Sequence, residues 1–207
     1  MTDITPVALW KGFDPDAEEL NPRPIRSFTR DGVLYDYAYF TGRTKDKLTT
    51  RVACLCAHPE NIGKKKLPVV IVCDIARNID EDALGYWAKK GFAAFAIDYK
   101  GADCAGASEK SGAEVFGTID SYEEDCVAVS SGLSTIYPVG MEYCNLNRAE
   151  KDFKSVERGA DATCWYEWTL NTRRAVSFAL THDFADGRRI GIYGCLLYTS
   201  PSPRDRS

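Results

Sequence analysis

Arg189-Ile190-Gly191-Ile192-Tyr193-Gly194 is a strand-length run, apolar at Ile190, Ile192 and Tyr193, that ends on a glycine. Asp186-Gly187 turns the chain just before it, so a buried strand is expected over 188–193. Upstream lies a long helical pattern, roughly 161–181. Its Trp165, Trp168, Thr172, Ala175, Val176 and Ala179 recur at helical spacing and mark one core-facing stripe. Two further runs precede it, Phe92-Ala93-Ala94-Phe95-Ala96-Ile97-Asp98 and Leu67-Pro68-Val69-Val70-Ile71-Val72-Cys73. Neither alternates apolar with polar, as expected of parallel strands covered on both faces. Between them, Asn78-Ile79-Asp80-Glu81-Asp82 has the capping and acidic chemistry of a helix start, 83–90 supplies the helix, and Gly91 stops it. Strand, helix, strand, helix, strand predicts an α/β architecture. Runs 69–72, 93–97 and 190–193 should be adjacent parallel strands, with right-handed crossovers laying the helices on the sheet.

The N-terminal part reads differently. Residues 1–24 are polar and punctuated by Pro6, Pro15, Pro22 and Pro24, and are expected to form an arm on the domain surface. Asp31-Gly32 is a hairpin signal. Val33-Leu34-Tyr35-Asp36-Tyr37-Ala38-Tyr39-Phe40 and Arg51-Val52-Ala53-Cys54-Leu55-Cys56-Ala57-His58 read as strands of an antiparallel start. Residues 101–159 are rich in Gly, Ser and acids and have no clean period, which marks an insertion or lid region. The domain is therefore expected to run over 25–194.

Composition bounds the function. The chain has 207 residues, 44% hydrophobic and 12% aromatic, enough for one domain's core or part of a larger one. Twenty-six basic against 30 acidic residues give a net charge of −4, which argues against a nucleic-acid partner held by phosphate neutralisation. No apolar run approaches the ~18 residues of a membrane span. The first residues lack the basic and apolar regions of a signal peptide, so a cytoplasmic location is expected. Eight cysteines then read as free thiols. Cys54 and Cys56 share a strand face, but no second close Cys or His pair accompanies them, so no metal is expected. Cys104, Cys126, Cys144 and Cys164 are too scattered for a site. Lys64-Lys65-Lys66 reads as a solvated loop, Arg173 and Arg174 as helix-to-sheet ion pairs, and Trp165 and Trp168 as core. His58 and His182 read as surface or strand-end histidines, and no cofactor is expected.

The chain ends Cys195-Leu196-Leu197-Tyr198-Thr199-Ser200-Pro201-Ser202-Pro203-Arg204-Asp205-Arg206-Ser207. Residues 195–205 resemble, codon for codon, the translation of a transposon-end sequencing adaptor. The tail 195–207 is accordingly expected to be non-native, poorly packed, and without a helix from Leu196.

A strand that ends on glycine after a long helix is the approach to a nucleophile elbow, where a G-x-S-x-G turn lifts a serine above the sheet. Gly194 would be the first glycine, and the nucleophile position is Leu196 here. Ala96-Ile97-Asp98-Tyr99-Lys100-Gly101-Ala102 resembles the strand-end D-x-R-G-x-G-x-S of α/β-hydrolases, with Lys for Arg. Cys164-Trp165-Tyr166-Glu167-Trp168-Thr169-Leu170-Asn171-Thr172-Arg173-Arg174-Ala175, followed by Arg189-Ile190-Gly191-Ile192-Tyr193-Gly194, is similar to the paired motifs of bacterial acetylxylan-esterase-like α/β-hydrolases. Gly12-Phe13-Asp14-Pro15-Asp16, Asp31-Gly32-Val33-Leu34-Tyr35 and Tyr86-Trp87-Ala88-Lys89-Lys90-Gly91-Phe92 resemble the same group. The resemblance spans most of 10–100 and 160–194 and is weak through 101–159.

It implies an incomplete α/β-hydrolase fold and a serine esterase mechanism on small acyl esters, such as acetylated carbohydrates. The triad order in that fold is Ser, acid, His, so none of the catalytic triad is expected within this chain. The family's Gly-rich turn after the first parallel strand is here Asp74-Ile75-Ala76-Arg77, without glycine. The backbone amides of Ile75 and Ala76 are the oxyanion-hole candidates, and a nearby carboxylate is unfavourable there unless it points away. Two alternatives remain open: a dienelactone-hydrolase or peptidase-like relative, and a non-catalytic binding protein of the same fold.

Overall fold

The structure is a computed structural model that describes residues 6–45, 48–73, 79–99, 135–137 and 163–194. Its elements are α1 (Pro6–Leu9), β1 (Arg23–Arg30), β2 (Val33–Lys45), β3 (Leu48–Pro59), β4 (Leu67–Cys73), α2 (Glu81–Lys89), β5 (Ala93–Ile97), α3 (Cys164–Leu180) and β6 (Ala185–Gly194). Six strands form one mixed sheet in the order β1-β2-β3-β5-β4-β6. β1, β2, β3 and β5 pair antiparallel in turn. β4 lies parallel between β5 and β6, in the arrangement the apolar runs predict. Asp31 and Gly32 both take positive φ, 53° and 72°, which gives the β1–β2 hairpin the twist of its strands.

The period of two sorts the side chains onto two faces. Tyr35, Tyr37, Tyr39, Ala53, Leu55, Ala57, Val70, Val72, Ala94 and Ala96 meet Leu84 and Ala88 of α2. Phe40, Val52, Cys54, Cys56, Val69, Ile71, Phe95 and Ile97 meet Trp168, Ala175, Phe178 and Ala179 of α3. Only strands with apolar residues at odd and even positions alike can be sandwiched this way, which is why β4 and β5 lack alternation.

Local chemistry sets the ends of α2. The Asp80 carboxylate accepts from the amides of Asp82 and Ala83. At the other end Gly91 takes φ +85°, its N–H donates to the Ala88 carbonyl, and that of Phe92 donates to the Trp87 carbonyl. The Phe92 ring closes edge-on to Trp87 at 5.2 Å, completing a Schellman motif with its apolar contact. Gly91→Ala is expected to cost about 1–2 kcal/mol, the penalty of a Cβ in the left-handed region. Urea denaturation checks it, and an unchanged midpoint would mean that the cap does not hold α2.

β6 departs from the sequence expectation in two ways. It reads as a buried strand but occupies the sheet edge, with Ile190, Ile192 and Tyr193 exposed by 37%, 66% and 51%. One side of the strand pairs with β4, and no further strand flanks the other among the described residues. The Asp186-Gly187 turn is a bulge inside the strand: pairing jumps from Pro68–Asp186 to Val69–Ile190, and 187–189 loop out. Asp186 closes this bulge, accepting from the Arg188 amide at 3.1 Å and Arg189 Nε at 2.7 Å.

Candidate functional site

The crossovers place the site. From β4 the chain runs through α2 on one face to β5. It then returns through α3 on the other face to β6, on the far side of β4. The carboxyl ends of β4 and β6 therefore flank a point where the strand order reverses, and open α/β sheets hold ligands in the crevice at such points. Cys73 pairs directly with Gly194 there. A Cβ on Gly194 would stand 3.1 Å from the Cys73 carbonyl oxygen, tighter than ordinary contact, so this position favours glycine through close approach.

A directed hydrogen-bond chain lines the same strand ends. The Thr172 hydroxyl donates to the Trp168 carbonyl at 2.9 Å, which commits its proton. Tyr99 Oη then donates to Thr172 Oγ1 at 3.2 Å. Burial pushes the Cys73 thiol above its ordinary value, and the neighbouring Tyr99 and Thr172 hydroxyl groups partly oppose that rise. Burial likewise pushes the Tyr99 phenol up. Cys73 and Tyr99 thus present neutral S–H and O–H groups at neutral pH.

Residues 135–137 are stitched to the same end of the sheet. The Thr135 amide donates to the buried Asp98 carboxylate at 2.8 Å, and its hydroxyl donates to the Asp98 carbonyl at 2.6 Å. Tyr137 Oη donates to the Tyr99 carbonyl at 2.9 Å, and Ile136 bridges to Arg51 of β3. Behind this layer, Glu167 in the first turn of α3 is fully buried. It accepts from Thr50 Oγ1 at 3.2 Å and stands 2.5 Å from Arg43 Nε. Burial pushes its carboxyl up, and the Arg43 guanidinium opposes the rise. Among the described residues, no three His, Cys, Asp or Glu side chains converge as a metal site.

No known family profile matches this sequence, and no curated protein matches it. Solved structures do. The fold is shared with carbohydrate esterases. An acetyl xylan esterase from Paenibacillus sp. R4 superposes with a TM-score of 0.56 at 16% identity, over 87% of this chain and 47% of its own. Acetyl xylan esterase 1 from Thermoanaerobacterium sp. JW/SL YS485 gives 0.51 at 16% identity, over 86% and 46%. The chain thus spans slightly under half the length of these enzymes. At such identity the likeness is one of fold.

Of the residues singled out from sequence, Gly194 lies at the crevice. Ile75, Ala76, the rest of the turn 74–77, Leu196 and the tail 195–207 lie outside the described residues. So does the 101–159 insertion apart from 135–137. Cys54 and Cys56 are buried on one face, with thiols pushed up by burial. His58 is a strand-end residue but buried, with Nδ1 2.8 Å from the Pro59 carbonyl and its ring 4.4 Å from Phe184. His182 caps α3 through the Phe178 carbonyl, and burial lowers its pKa.

The two arginines of α3 correct the ion-pair expectation. Arg174 Nε donates to the Thr41 carbonyl, and its other nitrogens donate to the carbonyls of Pro15, Glu18 and Glu19. Arg173 lies over the rings of Trp10 and Phe13 at 5.0 and 4.5 Å. They fasten the N-terminal arm to α3, because the arm brings backbone carbonyls and aromatic faces into direct contact with them, while the arm's Glu18 and Asp16 carboxylates act on Arg174 only through their charge. Sequence reasoning also missed Thr135 and the pairing of Tyr99 with Thr172. Their partners are 37 and 73 residues away, and no local period signals such contacts.

Proposed function

We propose that residues 1–194 form the N-terminal part of a serine esterase of the α/β-hydrolase type, acting on small acyl esters such as acetyl groups on a carbohydrate. The observation that carries this reading is the crevice where Gly194 packs on Cys73 between the carboxyl ends of β4 and β6. A turn after Gly194 would raise a serine at position 196 beside the amides of Ile75 and Ala76, which would bind the oxyanion. Cys73 and Tyr99 would form a neutral wall for the acyl group, without repelling a developing negative charge. The fold likeness to acetyl xylan esterases supports the substrate class. The acid and the histidine would come from later in the longer protein, and the chemistry needs no cofactor. The adaptor match supports reading 195–207 as non-native, and the natural protein as cytoplasmic.

A second reading has its own observation. Asp74-Ile75-Ala76-Arg77 has no glycine and carries an acidic residue where the family's turn is Gly-rich, and a carboxylate near the oxyanion would suit a non-catalytic binding member of the fold. Recovering the reading frame beyond Gly194 separates the two. The esterase reading expects x-Ser-x-Gly there, fluorophosphonate labelling of the longer protein, and loss of label when that serine is replaced by alanine. A frame without the serine, or a longer protein that takes no label, would favour the binding member.

A further inference from the structure

We infer that the polar cleft between the N-terminal arm and the β2–β3 hairpin is a carbohydrate subsite for the same substrate, an inference that rests on the esterase reading. The cleft measures about 690 Å³ and is lined by Glu18, Asn21, Arg23, Thr41, Thr49 and Arg51, with Pro22 and Thr44 completing it. That volume falls within the ~300–1,000 Å³ of small-molecule sites.

Its place in the fold is the first argument. β3 runs antiparallel to β5 with Cys54 opposite Ile97, so Thr49 and Arg51 lie beyond the carboxyl end of β5. The cleft therefore opens at the same end of the sheet as Gly194. Three to five strand spacings separate β3, β2 and β1 from β6, about 14–24 Å. One oligosaccharide can span that distance, whereas a simple alkyl ester cannot.

The lining chemistry is the second argument. Thr44 donates through its amide, at 2.9 Å, and through its hydroxyl to the Glu18 carboxylate. Its proton being committed, Thr44 Oγ1 accepts from Thr49 Oγ1 at 2.9 Å. Arg51 is buried and donates to Thr41 Oγ1 at 2.8 Å and to the Asn21 carbonyl at 2.8 Å. Thr41 Oγ1 accepts that bond and keeps its own proton to donate. The cleft thus offers a hydroxyl donor, the remaining lone pairs of Glu18 and Thr49, and the amide of Asn21. Alternating donors and acceptors match vicinal hydroxyls, each of which does both. Glu18 and Arg23 put opposite charges in the lining and Arg51 is turned onto the arm, so the cleft presents no cluster of cations to select an anionic ligand over a neutral one. Apart from Pro22, the described residues that line the cleft are all polar or charged, which favours a ligand rich in hydroxyls over a plain acyl chain.

The test is calorimetric titration of xylotriose into the 207-residue chain, and into the longer protein once recovered. Saturable binding at millimolar concentration is expected. Thr49→Val and Asn21→Asp should each weaken it about fivefold or more, the effect of one lost hydrogen bond, with melting temperature held. Trigalacturonate should bind less well than xylotriose. No saturable heat from xylotriose, binding indifferent to both variants, or preference for trigalacturonate would each overturn the subsite. p-Nitrophenyl acetate, which carries no sugar, separates this from the esterase reading. Serine-dependent turnover in a longer protein that ignores xylotriose refutes the subsite alone. Variant-sensitive xylotriose binding without such turnover refutes the esterase reading and leaves the cleft as a sugar site.

Discussion

Arg43→Met is expected to destabilise the chain by about 3–5 kcal/mol, the cost of leaving a buried charge without its partner. Glu167 is fully buried, and Arg43, with 15% of its side chain exposed, supplies the opposing charge at 2.5 Å. Thr50 contributes one hydrogen bond, which alone does not replace a lost ion pair. The double variant Arg43→Met with Glu167→Gln should recover most of the loss, because the amide is neutral and can still accept from Thr50. pH gives a second readout. Burial raises the Glu167 carboxyl above its unfolded value of 4.5, so the folded state binds its proton more tightly. Stability from this group is then fully present below the unfolded value and falls as pH rises through the folded one. Without Arg43 the folded value rises further, so the variant's deficit should be largest at neutral pH and shrink on acidification. Urea midpoints across that range check it. A deficit independent of pH, or one that Glu167→Gln leaves untouched, would show that the pair does not act as a charge pair.

The 207-residue chain should hydrolyse p-nitrophenyl acetate no faster than its general surface chemistry allows. Position 196 is Leu196, and both histidines of the chain, His58 and His182, precede it, whereas the proposed serine esterase would carry its base after the nucleophile. Neither can substitute by position. The His58 ring lies tilted against Phe184 and His182 caps α3, and burial lowers the His182 pKa. Losing the serine or the base of a triad costs on the order of a millionfold in kcat. The comparison is with the longer protein recovered past Gly194, both assayed with and without a fluorophosphonate. Sensitive turnover by the shorter chain would overturn the placing of the nucleophile after Gly194. The same preparations report on the sheet edge. Ile192 and Tyr193, exposed on a β6 whose outer side pairs with no strand among the described residues, should make the shorter chain associate with increasing concentration in light scattering.

Much of the fold was legible because it rests on local rules. Apolar runs without alternation gave β4 and β5 their two-sided burial, and Asp31-Gly32 gave the hairpin. Asp80 and Gly91 gave the ends of α2, since capping depends on residues within a few positions. The order of strands and helices gave parallel pairing, because right-handed crossovers leave few alternatives. Gly194 was readable as a strand-end glycine for the same reason.

The sequence alone also determined the absence of a histidine after His182, since order along the chain is all that statement needs. Tertiary structure decided the rest. Exposure of Ile192 depends on what flanks β6, which no property of Arg189-Ile190-Gly191-Ile192-Tyr193-Gly194 can encode. Arg174 reads as an ion-pairing residue from its charge, but its partners were settled by which backbone carbonyls the arm at 15–19 presents to α3. The chain from Tyr99 through Thr172 to Trp168, and the polar cleft from Glu18 to Arg51, join residues far apart in sequence. Local propensity acts over a turn or a pleat, whereas a site is assembled by the packing of whole elements, which only the folded sheet fixes.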